Sequence, residues 1–194
     1  MKLRFSVFVF AVLLAGCTTV EPPPPALPEL TFVNMTPIRV DVANVAVVDA
    51  YRSPMKPPDV EYIFQPPPDV AAQRMLKHLL VPAGGENVLR AIIQKASVVR
   101  RDLPAHHSLQ GLLMQAPAVE LTAVMKVRFE LINQDAPDIV LGHADVVVHR
   151  EKTLDEGLSP DARANAYFDL TEELMNDLNA GMQSIVKKTF GMKE

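Results

Sequence analysis

Residues 119–132 place the tightest restriction on what this chain can become. Val119, Leu121, Ala123, Met125, Val127, Phe129 and Leu131 alternate with Glu120, Thr122, Val124, Lys126, Arg128, Glu130 and Ile132. A period of two over that length specifies a strand with one buried face and one largely wet face. Such a strand needs paired neighbours and an apolar layer over its buried side. Asn133-Gln134-Asp135-Ala136-Pro137-Asp138 supplies turn chemistry directly after it. Residues 139–150 then return as an antiparallel partner, with Ala144, Val146 and Val148 on one face and Asp145, Val147 and His149 on the other.

The covering layer is legible on both sides of this hairpin. Ala72, Met75, Leu76, Leu79 and Leu80 recur at helical spacing within residues 70–80, with Asp69 placed to cap the helix and Pro82 and Gly84-Gly85 to end it. Ser159 is placed to cap a second, long helix with Pro160 at its first position. Its stripe is Tyr167, Leu170, Leu174, Leu178, Met182, Ile185 and Val186. Acids crowd the start of that helix and Lys187-Lys188 its end, as the helix dipole favours. The β-branched residues 38–50, with an irregularity near Ala43-Asn44, read as a first strand, and residues 87–100 as a second. The order β-α-β-β-β-α predicts an α+β fold: one four-stranded sheet with both helices packed on one face. Only the first connection can be a parallel crossover, and it is expected to be right-handed.

Twelve of the 17 prolines lie between Pro22 and Pro68. Pro22 to Pro25 and Pro28 predict an extended polyproline segment, either a semi-rigid spacer or a proline-recognition motif. Residues 51–68 form a second proline-punctuated stretch between the first strand and the first helix. A connection that long inside a compact domain is often functional. Its aromatics, Tyr51, Tyr62 and Phe64, must either pack on the core or face a partner, and they are the candidate partner-binding residues.

The amino terminus carries an address. Met1-Lys2-Leu3-Arg4 is basic, an apolar run of about ten residues follows, and Leu14-Ala15-Gly16 precedes Cys17, the single cysteine. The run is too short to span a bilayer, which takes about 20 apolar residues. Leu14-Ala15-Gly16-Cys17 resembles the lipobox of bacterial lipoproteins. That resemblance implies cleavage before Cys17, a lipid on its thiol, acylation of the new amino terminus and a periplasmic, membrane-anchored protein. Thr18, where an inner-membrane retention signal would place Asp, points by analogy to the inner leaflet of the outer membrane. The expected parts are a signal peptide (1–16), a lipidated proline-rich tether (17–36) and one domain (37–190). Cleavage would remove Lys2 and Arg4, taking the formal charge from −4 to −6. That acidic balance, with no basic run longer than two residues, argues against nucleic-acid binding.

The sequence offers no set of catalytic residues. It lacks HExxH, GxSxG, a phosphate loop and GxGxxG. His106-His107 sits in an expected loop over residues 102–117. His143, Asp145 and His149 share a strand face, but the two histidines lie about 20 Å apart along an extended strand and cannot share a metal. The expectation is therefore a non-enzymatic protein with no cofactor and no metal.

The lipobox, the first strand leading into Tyr51 and a proline-rich segment, the helix containing Ala71-Ala72-Gln73-Arg74-Met75-Leu76-Lys77-His78-Leu79, three strands and a terminal helix together resemble the auxiliary lipoproteins of ABC-type lipid-transport systems. The layout is also similar to the small α/β domain at the amino terminus of TolB. Gln73 and Met75 depart from the family, which often has an aromatic in that helix. The resemblance implies an adaptor that joins its membrane to an envelope protein complex. Direct binding of a lipid or small hydrophobic ligand, and a role in outer-membrane assembly, are the alternatives. Oligomeric state is left open by the sequence.

Overall fold

The computed structural model describes residues 29–103 and 118–190. Cys17, the polyproline segment and His106-His107 lie outside the described residues. The expected four-stranded sheet is present, in the order β2-β4-β5-β6. Its strands are β2 (Asn44–Asp49), β4 (Val88–Leu103), β5 (Ala118–Ile132) and β6 (Val140–Asp155). β2 runs parallel to β4, and β5 is antiparallel to both its neighbours. Helix α1 (Pro68–Leu79) connects the parallel pair, and α2 (Pro160–Phe190) follows β6.

The first strand divides where the irregularity was expected. β1 (Ile38–Val40) leaves the main sheet and pairs in parallel with β3 (Leu80–Pro82), a short strand directly after α1. Gly85 fits here because any Cβ would collide with the backbone carbonyl of Asp41. Its neighbour Gly84 takes φ +93, a conformation glycine adopts without penalty. Asp69 does not cap α1. Pro67 holds the cap position and Pro68 opens the helix, where a missing N–H costs nothing, so Asp69 falls in the first turn. Ser159 caps as expected, its Oγ accepting from the amide of Ala162 at 3.2 Å.

Both helices cover one face of the sheet. Leu121, Ala123, Met125, Val127 and Phe129 of β5 are fully buried against Met75, Leu76 and Leu79 of α1 and Leu170, Leu174, Leu178 and Met182 of α2. A bulge between Ile93 and Lys95 in β4 reverses the parity of that strand, so its inner residues pass from Leu89, Ala91 and Ile93 to Ala96 and Val98. Leu30 and Phe32 also lie in the core, at 7% and 6% exposure. The domain, expected to begin at residue 37 after a tether of residues 17–36, therefore begins earlier. The backbone at Thr36 is fixed as well, accepting a hydrogen bond from Gln183 of α2.

Candidate interaction site

Residues 50–67 finish the edge of the sheet that β2 leaves incomplete. β2 occupies the first half of β4. Ala50 donates to Ile93 at the end of that pairing, and the chain then swings out and returns to the second half of β4. There Val60 donates to Val98 at 2.8 Å, Arg100 donates to Pro58 at 2.9 Å, and Asp59 bridges Val99. The prolines suit this role, since a residue without an N–H can lie at a sheet edge whose donors are not needed.

Glu61 pins the swing. It opens the single-turn 3-10 helix Glu61–Ile63 and is 1% exposed. A buried carboxylate is costly without donors, and three converge on it. The Tyr51 hydroxyl donates to Oε1 at 2.7 Å, the Ser53 hydroxyl donates to the same oxygen, and the Val98 amide donates to Oε2 at 3.2 Å. Burial pushes the Glu61 pKa up, but these hydrogen bonds outweigh it and hold the carboxylate below its ordinary range. Tyr51 moves the opposite way: burial first, then its bond to Glu61 and that residue's charge, raise its pKa. One carboxylate thus ties residues 51 and 53 to residue 61 and to β4.

The three candidate aromatics take three different positions. Phe64 is 1% exposed and stacks on Tyr167 of α2, ring centroids 4.4 Å apart at 11°. Tyr51 is half-buried and commits its hydroxyl to Glu61. Tyr62 stands at the surface, 38% exposed, beside Ile63 at 45%. Below Ile63 a cleft of about 320 Å³ opens between this segment and the start of α2, lined by Ile63, Gln65, Leu158, Pro160, Arg163, Ala164 and Tyr167. Its walls are mainly apolar, with Arg163 the single cationic residue among them. The guanidinium donates to the Glu156 carbonyl at 2.9 Å. The volume lies at the small end of ligand pockets, a fit for one apolar side chain or a short aliphatic group with an anion near Arg163.

The opposite face of the sheet is a lattice of ion pairs. Arg90 pairs with Glu130 at 2.6 Å, Arg101 with Glu120 at 2.5 Å, and Arg128 holds Asp145 through two bonds at 2.7 and 3.0 Å. Lys126 joins Asp145 at 3.2 Å. The Arg128 hydrogen bonds, with help from Lys126, bring the Asp145 carboxyl down to about 2. His143, Asp145 and His149 do share this face, opposite Glu130, Arg128 and Val124 of β5, with Val147 between Asp145 and His149. Among the described residues no three His, Cys, Asp or Glu side chains gather as a metal site, and no helix is long and apolar enough to cross a membrane.

The residue sequence reasoning missed is Glu61. The one available signal is an acid set between Val60 and Tyr62-Ile63-Phe64 in an otherwise apolar run. No family model matches the chain, and no curated protein matches it. It is similar to solved structures at low identity. A minor lipoprotein from Acinetobacter baumannii is 11% identical, with a TM-score of 0.38 over 78% of this chain and 96% of that one. The rare lipoprotein B from Shewanella oneidensis is 14% identical, with a TM-score of 0.38 over 75% and 95%. A Helicobacter pylori homolog of a neuraminyllactose-binding hemagglutinin is 8% identical, with a TM-score of 0.41 over 86% and 97%. Similarity at this level assigns neither a family nor an activity to this chain.

Proposed function

We propose that the protein is a lipid-anchored adaptor of the bacterial cell envelope. Cys17 holds it at the periplasmic face of the outer membrane, and it works by binding rather than catalysis. Tyr62, Ile63 and the adjoining cleft receive a side chain of a partner protein. The finer form of the reading makes that partner part of an ABC-type lipid-transport complex. One observation carries the binding role: a carboxylate buried to 1% exposure is held by three donors, and the segment it fixes presents two exposed apolar side chains beside a cleft. Ordering a long loop is entropically costly, and a preorganised surface lowers the cost of binding.

The test is crosslinking in intact cells through a photoreactive residue at position 62. A discrete envelope protein should be captured, and Ile63→Asp should abolish the capture while the domain stays folded. Capture that persists unchanged in Ile63→Asp would refute the site. Anchoring is tested separately, since Cys17→Ser should lose all fatty-acid labelling. The cleft also favours a second reading, direct binding of a small hydrophobic ligand. Native mass spectrometry of the purified protein would then show a bound species that Ala164→Trp displaces.

A further inference from the structure

β6 is an open edge. Among the described residues this 16-residue strand pairs with β5 on one side, with a register irregularity that skips Leu141, and with no strand on the other. An unpaired edge of that length is a template for another strand. Three of its apolar side chains stay exposed: Val140 at 44%, Leu141 at 50% and Val147 at 58%. Inward-pointing cations commonly protect such edges, and Arg150 and Lys152 do point to the helix side. Here, however, both are neutralised at home. Arg150 forks onto Asp177, and Lys152 reaches Glu173 at 3.5 Å and Asp169 at 3.6 Å. Ala144 and Val148 remain only half-buried although α2 packs along this strand.

We propose that the occupant of this edge is a second copy of the chain, adding β6 to β6 antiparallel about a two-fold axis through Val147. Residues opposed across an antiparallel pair lie on the same face, so the axis must pass through a residue. With the axis at Val147, that side chain meets its own copy on the outer face. Asp145 then faces His149 of the second copy, and His143 faces Glu151. On the helix side Val146 faces Val148, Ala144 faces Arg150, and Gly142 faces Lys152. Asp145 and Glu151 each meet a histidine, and Arg150 and Lys152 each meet one of the smallest residues of the strand. The space where a Gly142 side chain would stand is open, with no atom within 4 Å. Neighbouring registers lose this match. An axis at Asp145 sets that carboxylate against itself, at Val146 it sets His143 against His149, and at Val148 it sets Asp145 against Glu151. The joined sheet would run through eight strands, with the 51–66 segments at its two far ends, so this pairing is independent of the cleft and its partner.

Cysteine crosslinking of the full-length, lipidated chain in native membranes tests the register. The unaltered chain, with Cys17 as its only cysteine, is the background control. Val147→Cys should form a disulfide-linked homodimer. His143→Cys and Glu151→Cys should not do so singly, because each would sit about 26 Å from its own copy at roughly 3.3 Å per residue. Coexpressed, the two should give a mixed dimer. Crosslinking of all three variants alike, none by a protease-resistant Val147→Cys chain, or capture of a different protein by Val147→Cys would each overturn the proposal. Sedimentation of the purified chain in detergent supplies the second measurement. Glu151→Lys should weaken the dimer about tenfold, since symmetry breaks two pairs at once. Adding His143→Glu should restore it, and a double variant as weak as the single one would refute the pairing.

Discussion

Replacing Glu61 tests the physical basis of the 51–66 segment. Glu61→Ala removes the acceptor of three donors and leaves the Val98 amide, already 3.2 Å from its only side-chain partner, without one. Hydrogen bonds to a charged group contribute about 1.5–3 kcal/mol each, and an orphaned buried donor costs about 1–3 kcal/mol. The Tyr51 and Ser53 hydroxyls can turn toward water once the carboxylate is gone, so the loss should be about 3–5 kcal/mol rather than the full sum. Glu61→Gln keeps the shape and one oxygen. With that oxygen toward Val98, its NH₂ meets two hydroxyls that can reverse and accept, so the loss should be about 1–2 kcal/mol. Urea unfolding at pH 7 measures both variants, with equal slopes confirming that the unfolded states are alike. The folded pKa of Glu61 is lowered, so its contribution is fully present above the unfolded value of about 4.3 and is lost as pH falls through the folded value. The gap between wild type and Glu61→Gln should therefore shrink in acid. Variants within 0.5 kcal/mol of wild type (roughly the floor for a real effect), or a gap that does not change between pH 7 and pH 3, would refute the reasoning.

A methyl group at Gly181 would lie 2.6 Å from Val146 Cγ1, so Gly181→Ala should destabilise by about 1–2 kcal/mol despite its better helix propensity. Val146→Ala in the same chain should recover part of that loss, giving a favourable coupling in a double-mutant cycle. Phe64→Ala removes the ring stacked on Tyr167 and should cost about 3–5 kcal/mol by thermal or urea unfolding, whereas Tyr62→Ala should change stability by less than about 0.5 kcal/mol. Asp145 titrates at about 2 in the fold, below its ordinary value of about 3.9. Its contribution is present above that ordinary value and is lost as pH falls toward 2, so Asp145→Asn should be less stable than wild type at pH 6 and indistinguishable from it near pH 2. Deleting residues 29–36 should unfold or strongly destabilise the domain, while deleting 22–28 should leave its urea midpoint unchanged.

The sheet was legible because its patterns are local. The alternation of 119–132, the return strand and the two helical stripes each need only a few neighbouring residues to be read, and each became an element within a few residues of its expected bounds. What escaped depends on contacts distant in sequence. The split of the first strand needs β3, some forty residues later, as the partner of β1. The bulge between Ile93 and Lys95 reassigns the inner face of β4, and no periodicity announces it. Glu61 looked like an ordinary loop acid because its donors come from Tyr51, Ser53 and Val98. The aromatic trio was visible as a group, but chemistry alone could not divide it into a core ring, a bonded phenol and a surface phenol.

The buried start of the domain sharpens what the proposed lipid anchor would imply. A spacer from Cys17 to residue 36 would have had about 19 residues of reach, but Leu30 and Phe32 are committed to the core and Thr36 is tied to Gln183. With Cys17 lipidated as proposed, only about a dozen residues would separate the lipid from the first buried position. At roughly 3.1 Å per residue, the rise of a polyproline helix, a dozen residues would reach at most about 37 Å. Such a tether would restrict where the domain can sit above the bilayer. A pair joined through β6 would be restricted further, since two anchors on one rigid sheet must both reach the same leaflet. On the proposed reading, a connection this short would favour partners that approach close to the membrane, before any contact at Tyr62 and Ile63.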